Sequence, residues 1–110
     1  MVDDIEFQQA QKQEKVDKIT VRIIIEGKVQ KVGLRNWIKQ KANLLSVQGW
    51  VRNRANNTVE ALFYGDEDVV NEIVNMCNQG PAFALIKRIK RFPESGLSNI
   101  PIEFTILPTV

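Results

Sequence analysis

The chain is 110 residues long, with 44% hydrophobic residues, 25% charged residues and a net charge of +2, which is the composition of one soluble globular domain. It has no histidine, which excludes a histidine general base, a histidine-activated nucleophile and a histidine metal ligand. Because no apolar run approaches the roughly 18 residues of a membrane span and the single cysteine fits a reducing compartment, we expect a cytoplasmic protein with no membrane partner.

The N-terminus is polar and weakly periodic. We interpret residues 1–18 as a polar N-terminal extension that precedes one domain at residues 19–110. From Ile19 onward, apolar residues alternate with polar ones, which predicts a half-buried first strand that ends at Gly27.

A stripe of apolar residues at spacings of three, four and seven predicts the first helix, which starts near Arg35. The stripe consists of Trp37, Ile38, Ala42, Leu44 and Leu45. The second strand is predicted at 47–53 and the third at 58–64. Between them, Asn56 and Asn57 predict a turn, because asparagine tolerates the left-handed backbone region.

The second half of the chain repeats this alternation of helix and strand. Gly65 is predicted to end the third strand, and the acidic residues 66–68 suit the first turn of a second helix. Gly80 and Pro81 would end that helix. A fourth strand is predicted near 84–92, and a last short strand follows with alternating Ile102, Phe104 and Ile106.

The predicted order is strand, helix, strand, strand, helix, strand, with a short strand appended. Two amphipathic helices that cover one face of an antiparallel sheet make a ferredoxin-like α+β two-layer sandwich. A right-handed crossover makes the first two strands parallel, with the third strand between them. We therefore expect the segment after Gly27, residue Asn53 and the start of the first helix to meet at one edge of the sheet.

The nine residues GKVQKVGLR, from Gly27 to Arg35, join the first strand to the first helix. Such a loop can turn backbone N–H groups inward around an anion, and the helix start adds free N–H groups and a positive dipole end. Arg35 supplies a planar guanidinium that can bind two phosphate oxygens. On this segment alone, an ordinary turn with a solvated arginine is the favoured interpretation.

A second motif, GWVRN at 49–53, follows one helix later, and NTVE follows the turn at 57–60. Together with GKVQKVGLR, these segments resemble the acylphosphatase family, whose signatures read G-x-V-Q-G-V-x-F-R and G-W-V-x-N followed by G-[ST]-V-E. The resemblance covers about residues 19–107. Two motifs in the right order, at the right spacing and on the right elements are a specific signal.

Three positions differ from the family pattern. Lys31 and Asn57 stand where glycine is usual, and Leu34 stands where phenylalanine is usual. Asparagine enters the left-handed region readily, and leucine keeps an apolar anchor. For Lys31 two interpretations stay open, since the side chain either strains a positive φ angle or adds a cation near the phosphate.

The resemblance implies an enzyme that hydrolyses small acyl phosphates to carboxylate and inorganic phosphate, with no cofactor and no metal. Arg35 would bind the phosphoryl oxygens, and Asn53 would orient the attacking water. Further oxygens would bind to the backbone amides of Gln30, Lys31, Val32, Gly33 and Leu34. We expect a monomer whose partner is the small-molecule acyl phosphate.

The alternative is a non-catalytic binding module of the same fold that recognises RNA or a protein partner. The basic stretch KRIKR at 87–91 is consistent with RNA. However, the outward positions of the first strand carry no aromatic residue, and Trp50 and Tyr64 are the only candidates for stacking. We therefore interpret the basic residues as protection of an edge strand and expect no nucleic-acid partner.

Overall fold

The computed structural model describes residues 17–110, so most of the predicted N-terminal extension lies outside the described residues. The strands are β1 (Lys18–Lys28), β2 (Gln48–Asn53), β3 (Val59–Asp66), β4 (Leu85–Glu94) and β5 (Thr105–Ile106). The helices are α1 (Leu34–Leu44) and α2 (Glu67–Gln79). Within residues 17–110, no helix is long and apolar enough to cross a membrane.

The strands form one sheet in the order β4-β1-β3-β2-β5. β1 is antiparallel to both β3 and β4, and β2 is antiparallel to β3. β1 and β2 therefore run in the same direction on either side of β3, as predicted. β5 pairs parallel with β2 and makes the sheet mixed. With the two helices on one face, this is the predicted ferredoxin-like α+β sandwich.

The core lies between the helices and one face of the sheet. Every second residue of β1 faces the core, where Val21, Ile23 and Ile25 are almost fully buried. The sheet contributes Val51, Val59, Ala61 and Phe63 as well, and the helices contribute Leu34, Ile38, Ala42, Val70, Ile73, Val74 and Cys77. In the part of the chain that the structure describes, the other face of the sheet carries no helix and bears polar and aromatic side chains; we call it the helix-free face.

Two predicted strand ends are wrong, because pairing with neighbouring strands continues past the glycine. β1 extends beyond Gly27 to Lys28, which pairs with Leu85 after a bulge in the register with β4. β3 extends through Gly65 to Asp66, since Gly65 pairs with Ile19. A glycine ends a strand only where the backbone also turns away from its neighbour.

Two further details of the prediction are also wrong. The predicted apolar stripe of α1 includes both Leu44 and Leu45, but Leu44 is 78% exposed and only Leu45 packs against the core. Consecutive helix residues point in different directions, so only one of the two can face the sheet. The last strand is shorter than predicted, because Ile102 is 83% exposed and pairing is confined to Thr105 and Ile106.

The first glycine of each sequence motif allows two strands to approach closely. Gly27 has φ +135°, and a Cβ there would collide with the carbonyl oxygen of Leu85 on β4. Gly49 has φ +138°, and a Cβ there would collide with the carbonyl oxygen of Leu62 on β3. Any larger residue would push these strands apart, so both glycines are required by the backbone packing of the sheet.

Candidate active site

The segment between β1 and α1 has an unusual backbone. Lys31 has φ +60° and Gly33, the N-cap of α1, has φ +80°, so two left-handed residues flank Val32. Turns of this kind direct successive N–H groups toward one side. The first interpretation of Lys31 therefore holds for the backbone: the lysine adopts a positive φ angle at the position where the family pattern has glycine.

The segment encloses a small hollow of about 120 Å³, which we call the loop hollow. Its lining consists of Val29, Lys31, Gly33, Leu34, Arg35, Asn36 and Ile106. Val29 and Leu34 are buried and anchor the two ends of the loop in the core. Of the residues predicted to offer backbone amides, Lys31, Gly33 and Leu34 line the hollow, whereas Gln30 and Val32 do not.

Arg35 lies in the first turn of α1 and lines the loop hollow. Among the arginines of residues 17–110, it is the one whose guanidinium has neither an ion pair nor a side-chain hydrogen bond with another described residue. The other arginines have such partners: Arg22, Arg52 and Arg54 contact Glu60, Arg88 contacts Glu26, and Arg91 donates to Asn71. The Arg35 guanidinium therefore keeps its hydrogen-bonding capacity for a ligand.

Asn53 is the last residue of β2, on the side of the sheet that faces the helices, as are Gly49 and Val51. Val51 pairs with Ile106, which lines the loop hollow, although Asn53 itself does not line it. The Asn53 side-chain oxygen Oδ1 is buried and accepts no hydrogen bond from any described residue. Buried acceptors are normally paired, so this oxygen is suited to a water or ligand donor.

Gln30 ties the loop to the turn that follows Asn53. Its side-chain Nε2 donates to the backbone oxygens of Arg54, at 2.8 Å, and of Thr58, at 2.9 Å. Between those two residues the turn reverses through Asn57, which adopts φ +68° as its sequence position predicted. The loop after β1 and the turn after β2 are therefore held together at the same edge of the sheet, as the predicted topology required.

The helix-free face of the sheet carries a buried charge cluster near this edge. Glu60 is only 3% exposed, and its carboxylate contacts Arg52 at 2.7 Å, Arg22 at 3.1 Å and Arg54 at 3.2 Å. Arg22 also donates to Glu94 at 2.9 Å. The guanidiniums are consequently fixed to the sheet, and the Arg54 side chain anchors the turn that Gln30 contacts.

One expectation about this face is incomplete. The sequence indicates only Trp50 and Tyr64 as aromatic candidates, but Phe92 of β4 lies on the same face, since its register partner there is Arg22. The Arg22 guanidinium lies 4.5 Å from the Phe92 ring centroid, and the Arg52 guanidinium lies 4.5 Å from that of Trp50. Both rings are thus covered by a cation–π contact.

Comparison with known proteins decides the family. The acylphosphatase family model matches residues 21–106, which include both motifs, the loop hollow and Asn53. This chain belongs to the acylphosphatase family. No curated protein sequence matches it significantly.

Solved structures of acylphosphatases have the same fold. The acylphosphatase from Bacillus subtilis is 30% identical, with a TM-score of 0.76 over 81% of this chain and 98% of that one. An acylphosphatase from Coxiella burnetii is 24% identical, with a TM-score of 0.73 over 83% of this chain and 94% of that one. Each of these acylphosphatases is thus matched over nearly its whole length.

The same acylphosphatase fold also occurs inside a much larger protein. Full-length HypF, in its phosphate- and nucleotide-bound form, is 19% identical with a TM-score of 0.77, and the match spans 87% of this chain but 13% of that one. At this identity the likeness concerns the fold alone.

The sequence patterns of this member of the acylphosphatase family do not indicate the Gln30 side chain or Phe83. Gln30 was assigned only through its backbone amide, because its side-chain contacts are with residues more than twenty positions away. Phe83 lies in the connection between α2 and β4, and its ring lies against Gly33. The antiparallel pairing of β1 with β4 could have indicated this proximity, since it brings the start of β4 beside the end of β1.

Proposed function

We propose that this chain is an enzyme that hydrolyses the carboxyl–phosphate bond of small acyl phosphates to carboxylate and inorganic phosphate. The observation that carries the proposal is Arg35, whose guanidinium has no partner among the described residues and lies on the wall of the loop hollow, at the family's motif position. The buried Oδ1 of Asn53, which has no hydrogen-bond partner among residues 17–110, lies at the same edge of the sheet and adds support.

Arg35 binds two oxygens of the phosphoryl group in this proposal. Of the backbone N–H groups of residues 30–34, those of Lys31, Gly33 and Leu34, which line the loop hollow, bind the others, with the help of the positive end of the α1 dipole. Such fixed donors stabilise the charge that spreads over the phosphoryl oxygens in the transition state. The left-handed backbone at Lys31 and Gly33 is consistent with this arrangement of N–H groups.

Asn53 holds the attacking water through Oδ1. The water oxygen forms a bond to phosphorus in line with the bond from phosphorus to the carboxyl oxygen, which breaks. The carboxylate leaves with that electron pair, and a phosphoryl oxygen accepts the proton of the water. Because a carboxylate is already a good leaving group, no acidic side chain has to protonate it, and correct positioning supplies most of the catalysis.

We also propose that the protein acts as a monomer in the cytoplasm. The single cysteine, Cys77, is fully buried on α2, where a reducing compartment keeps it as a thiol. Light scattering of the purified protein measures its oligomeric state, and a fluorescent fusion in the source cell reports its compartment.

The second candidate function is a non-catalytic module that binds single-stranded RNA. Trp50, Tyr64 and Phe92 on the helix-free face favour it, as does the side chain of Lys31 at the hollow. Against it, the rings of Trp50 and Phe92 are covered by guanidiniums that Glu60 fixes in place. RNA affinity that falls steeply with salt, in a protein without turnover, would favour this module.

The enzyme proposal is tested with benzoyl phosphate, whose hydrolysis is followed by ultraviolet absorbance. We expect Arg35→Ala to lower kcat/KM about a thousandfold, because it removes the charged clamp. We expect Asn53→Ala to lower kcat about a hundredfold, by analogy with the loss of one oxyanion donor. Circular dichroism should show an unchanged fold for both variants.

Two matched controls separate these roles from general effects of charge or amide loss. Arg91→Ala removes an exposed arginine on β4, and Asn75→Ala removes an exposed asparagine on α2. Both should keep wild-type turnover. If the wild type does not hydrolyse benzoyl phosphate, the proposed function is wrong. If Asn53→Ala has the same turnover as the wild type, the proposed role of Asn53 is wrong.

A further inference from the structure

An exposed aromatic residue lies beside the loop hollow. Because β4 pairs antiparallel with β1, with Leu85 opposite Lys28, the residues that precede β4 lie next to the loop that follows β1. Phe83 is one of them, and its ring carbon Cε2 lies 3.7 Å from the position that a Cβ would occupy on Gly33. Gly33 lines the hollow, so the Phe83 ring lies next to one of the lining residues, although Phe83 does not line the hollow itself.

The position of Phe83 is fixed by the residues around it. The backbone N–H of Ala84 donates to the carbonyl oxygen of Pro81 at 3.0 Å, which closes a tight turn. Ala84 is buried in the core and anchors the end of that turn. The Phe83 side chain nevertheless remains 54% exposed, although a large aromatic ring gains free energy when it is covered.

The size of the loop hollow leaves part of any acyl phosphate outside it. A volume of about 120 Å³ is well below the roughly 300 Å³ at the lower end of small-molecule sites. If the phosphoryl group occupies the hollow, the acyl group projects past the rim. An exposed apolar surface next to a polar anchor is the usual construction of a ligand site, with the polar groups orienting and the apolar ones covering the ligand.

We propose that Phe83 is a specificity-determining residue that contacts the acyl group and favours aromatic and other large apolar acyl groups over acetyl. The proposal rests on the proposed function, since it assumes that the phosphoryl group binds in the loop hollow. It adds no chemical step. Phe83 contributes binding to the part of the substrate that does not react, and this binding distinguishes one acyl phosphate from another.

The test compares benzoyl phosphate with acetyl phosphate, using wild-type protein, Phe83→Ala and Phe83→Leu. We expect Phe83→Ala to lower kcat/KM for benzoyl phosphate about tenfold, mainly through KM, because an aromatic contact is lost. For acetyl phosphate, kcat/KM should stay within about twofold, since acetyl is too small to cover the ring. Phe83→Leu, which keeps an apolar side chain, should lie between wild type and Phe83→Ala for benzoyl phosphate.

Two further measurements make the outcome decisive. Inhibition by inorganic phosphate, which has no acyl group, should be the same in Phe83→Ala and wild type. Leu44→Ala removes an exposed apolar residue at the far end of α1 and should leave kcat/KM unchanged for both substrates. Equal loss with both substrates, or no loss with either, would overturn the proposal. Absence of wild-type turnover with both substrates would instead overturn the proposed function and, with it, the role of Phe83.

Discussion

The side-chain amide of Gln30 donates a hydrogen bond of 2.8 Å to the backbone oxygen of Arg54, the residue that follows Asn53. A second bond, of 2.9 Å, joins the same nitrogen to Thr58 on the other side of the turn. The phosphate-binding loop proposed above is therefore coupled mechanically to the residue proposed to hold water. In the proposed mechanism, catalysis by positioning depends on the distance between these two elements, which the two hydrogen bonds of Gln30 restrain.

We expect Gln30→Ala to lower kcat for benzoyl phosphate about tenfold, because the turn that carries Asn53 loses its connection to the loop. The decisive measurement is a double-mutant cycle with Asn53→Ala. If Gln30 acts through Asn53, its replacement should have little further effect once Asn53 is alanine.

The control for this cycle is Gln40→Ala, which removes an exposed glutamine on α1 and should leave kcat unchanged. Losses that simply multiply in the double variant would show that Gln30 acts independently of Asn53. Gln30→Glu offers a second check, because a carboxylate cannot donate to the two carbonyl oxygens and should be no better than alanine.

Lys31→Gly should preserve or raise turnover. Lys31 has φ +60°, which costs a residue with a side chain on the order of 1 kcal/mol and costs glycine nothing. The gain is partly offset by the larger chain entropy that glycine loses on folding, so the free energy of unfolding in urea should change by less than about 1 kcal/mol. A sharp fall in kcat/KM would instead identify the lysine ammonium as a phosphate ligand.

Glu60→Ala should destabilise the fold by on the order of 2 kcal/mol. The substitution leaves Arg22, Arg52 and Arg54 close together without their shared carboxylate. We place the loss below that of a fully buried pair, because these arginine side chains are 26% to 36% exposed and water partly screens them. Urea unfolding at two salt concentrations measures the effect, which should shrink at high salt as the repulsion is screened.

The matched control is Glu72→Ala, which removes an exposed carboxylate on α2. It should change the free energy of unfolding by less than about 0.5 kcal/mol, as is usual for surface substitutions. If Glu60→Ala and the wild type have the same free energy of unfolding at low salt, the Glu60 carboxylate does not stabilise the cluster of three guanidiniums.

Cys77 should be unreactive in the folded protein. Burial raises the pKa of the Cys77 thiol from 9.0 to about 12, so almost no thiolate exists near pH 8. A chromogenic disulfide reagent should label one thiol per chain in urea and none within minutes without it. Rapid labelling of the native protein would show that α2 opens easily.

The same pKa difference has a consequence for stability. Between about pH 9 and pH 12 the unfolded chain releases the thiol proton while the folded chain retains it. The free energy of unfolding should therefore fall as pH rises through this range, by at most about 1.4 kcal/mol per pH unit from this group. Cys77→Ala should remove this contribution to the alkaline slope, which urea unfolding at a series of pH values would measure.

The topology could be predicted from the sequence because each element carried its own local signal. The alternation in β1, the acidic first turn of α2 and the glycine after Gln79 each indicate one structure, and the order of the elements leaves few ways to connect them. The left-handed backbone at Asn57 could likewise be predicted, since it follows from the residue type and from the turn.

The details of the site could not be predicted, because they depend on contacts between distant segments. Neither the two bonds of Gln30 nor the ring of Phe83 against Gly33 leaves a trace in local sequence. The predicted ends of β1 and β3 are wrong for the same reason. Whether Gly27 or Gly65 ends a strand is decided by the neighbouring strand, whose register the local pattern does not contain.

The close approach of backbones at Gly27 and Gly49 changes how the two signatures should be weighed. These glycines are required by the close approach of neighbouring strands, so a descendant that had lost all hydrolytic activity would still need them. A match to the glycines of the two motifs therefore indicates that a chain has the fold, but it does not indicate that the chain is catalytically active. Under the proposed mechanism, the residues that report the chemistry are the guanidinium at position 35 and the carboxamide at position 53, so we expect a related chain that keeps the glycines but lacks both to be inactive toward acyl phosphates.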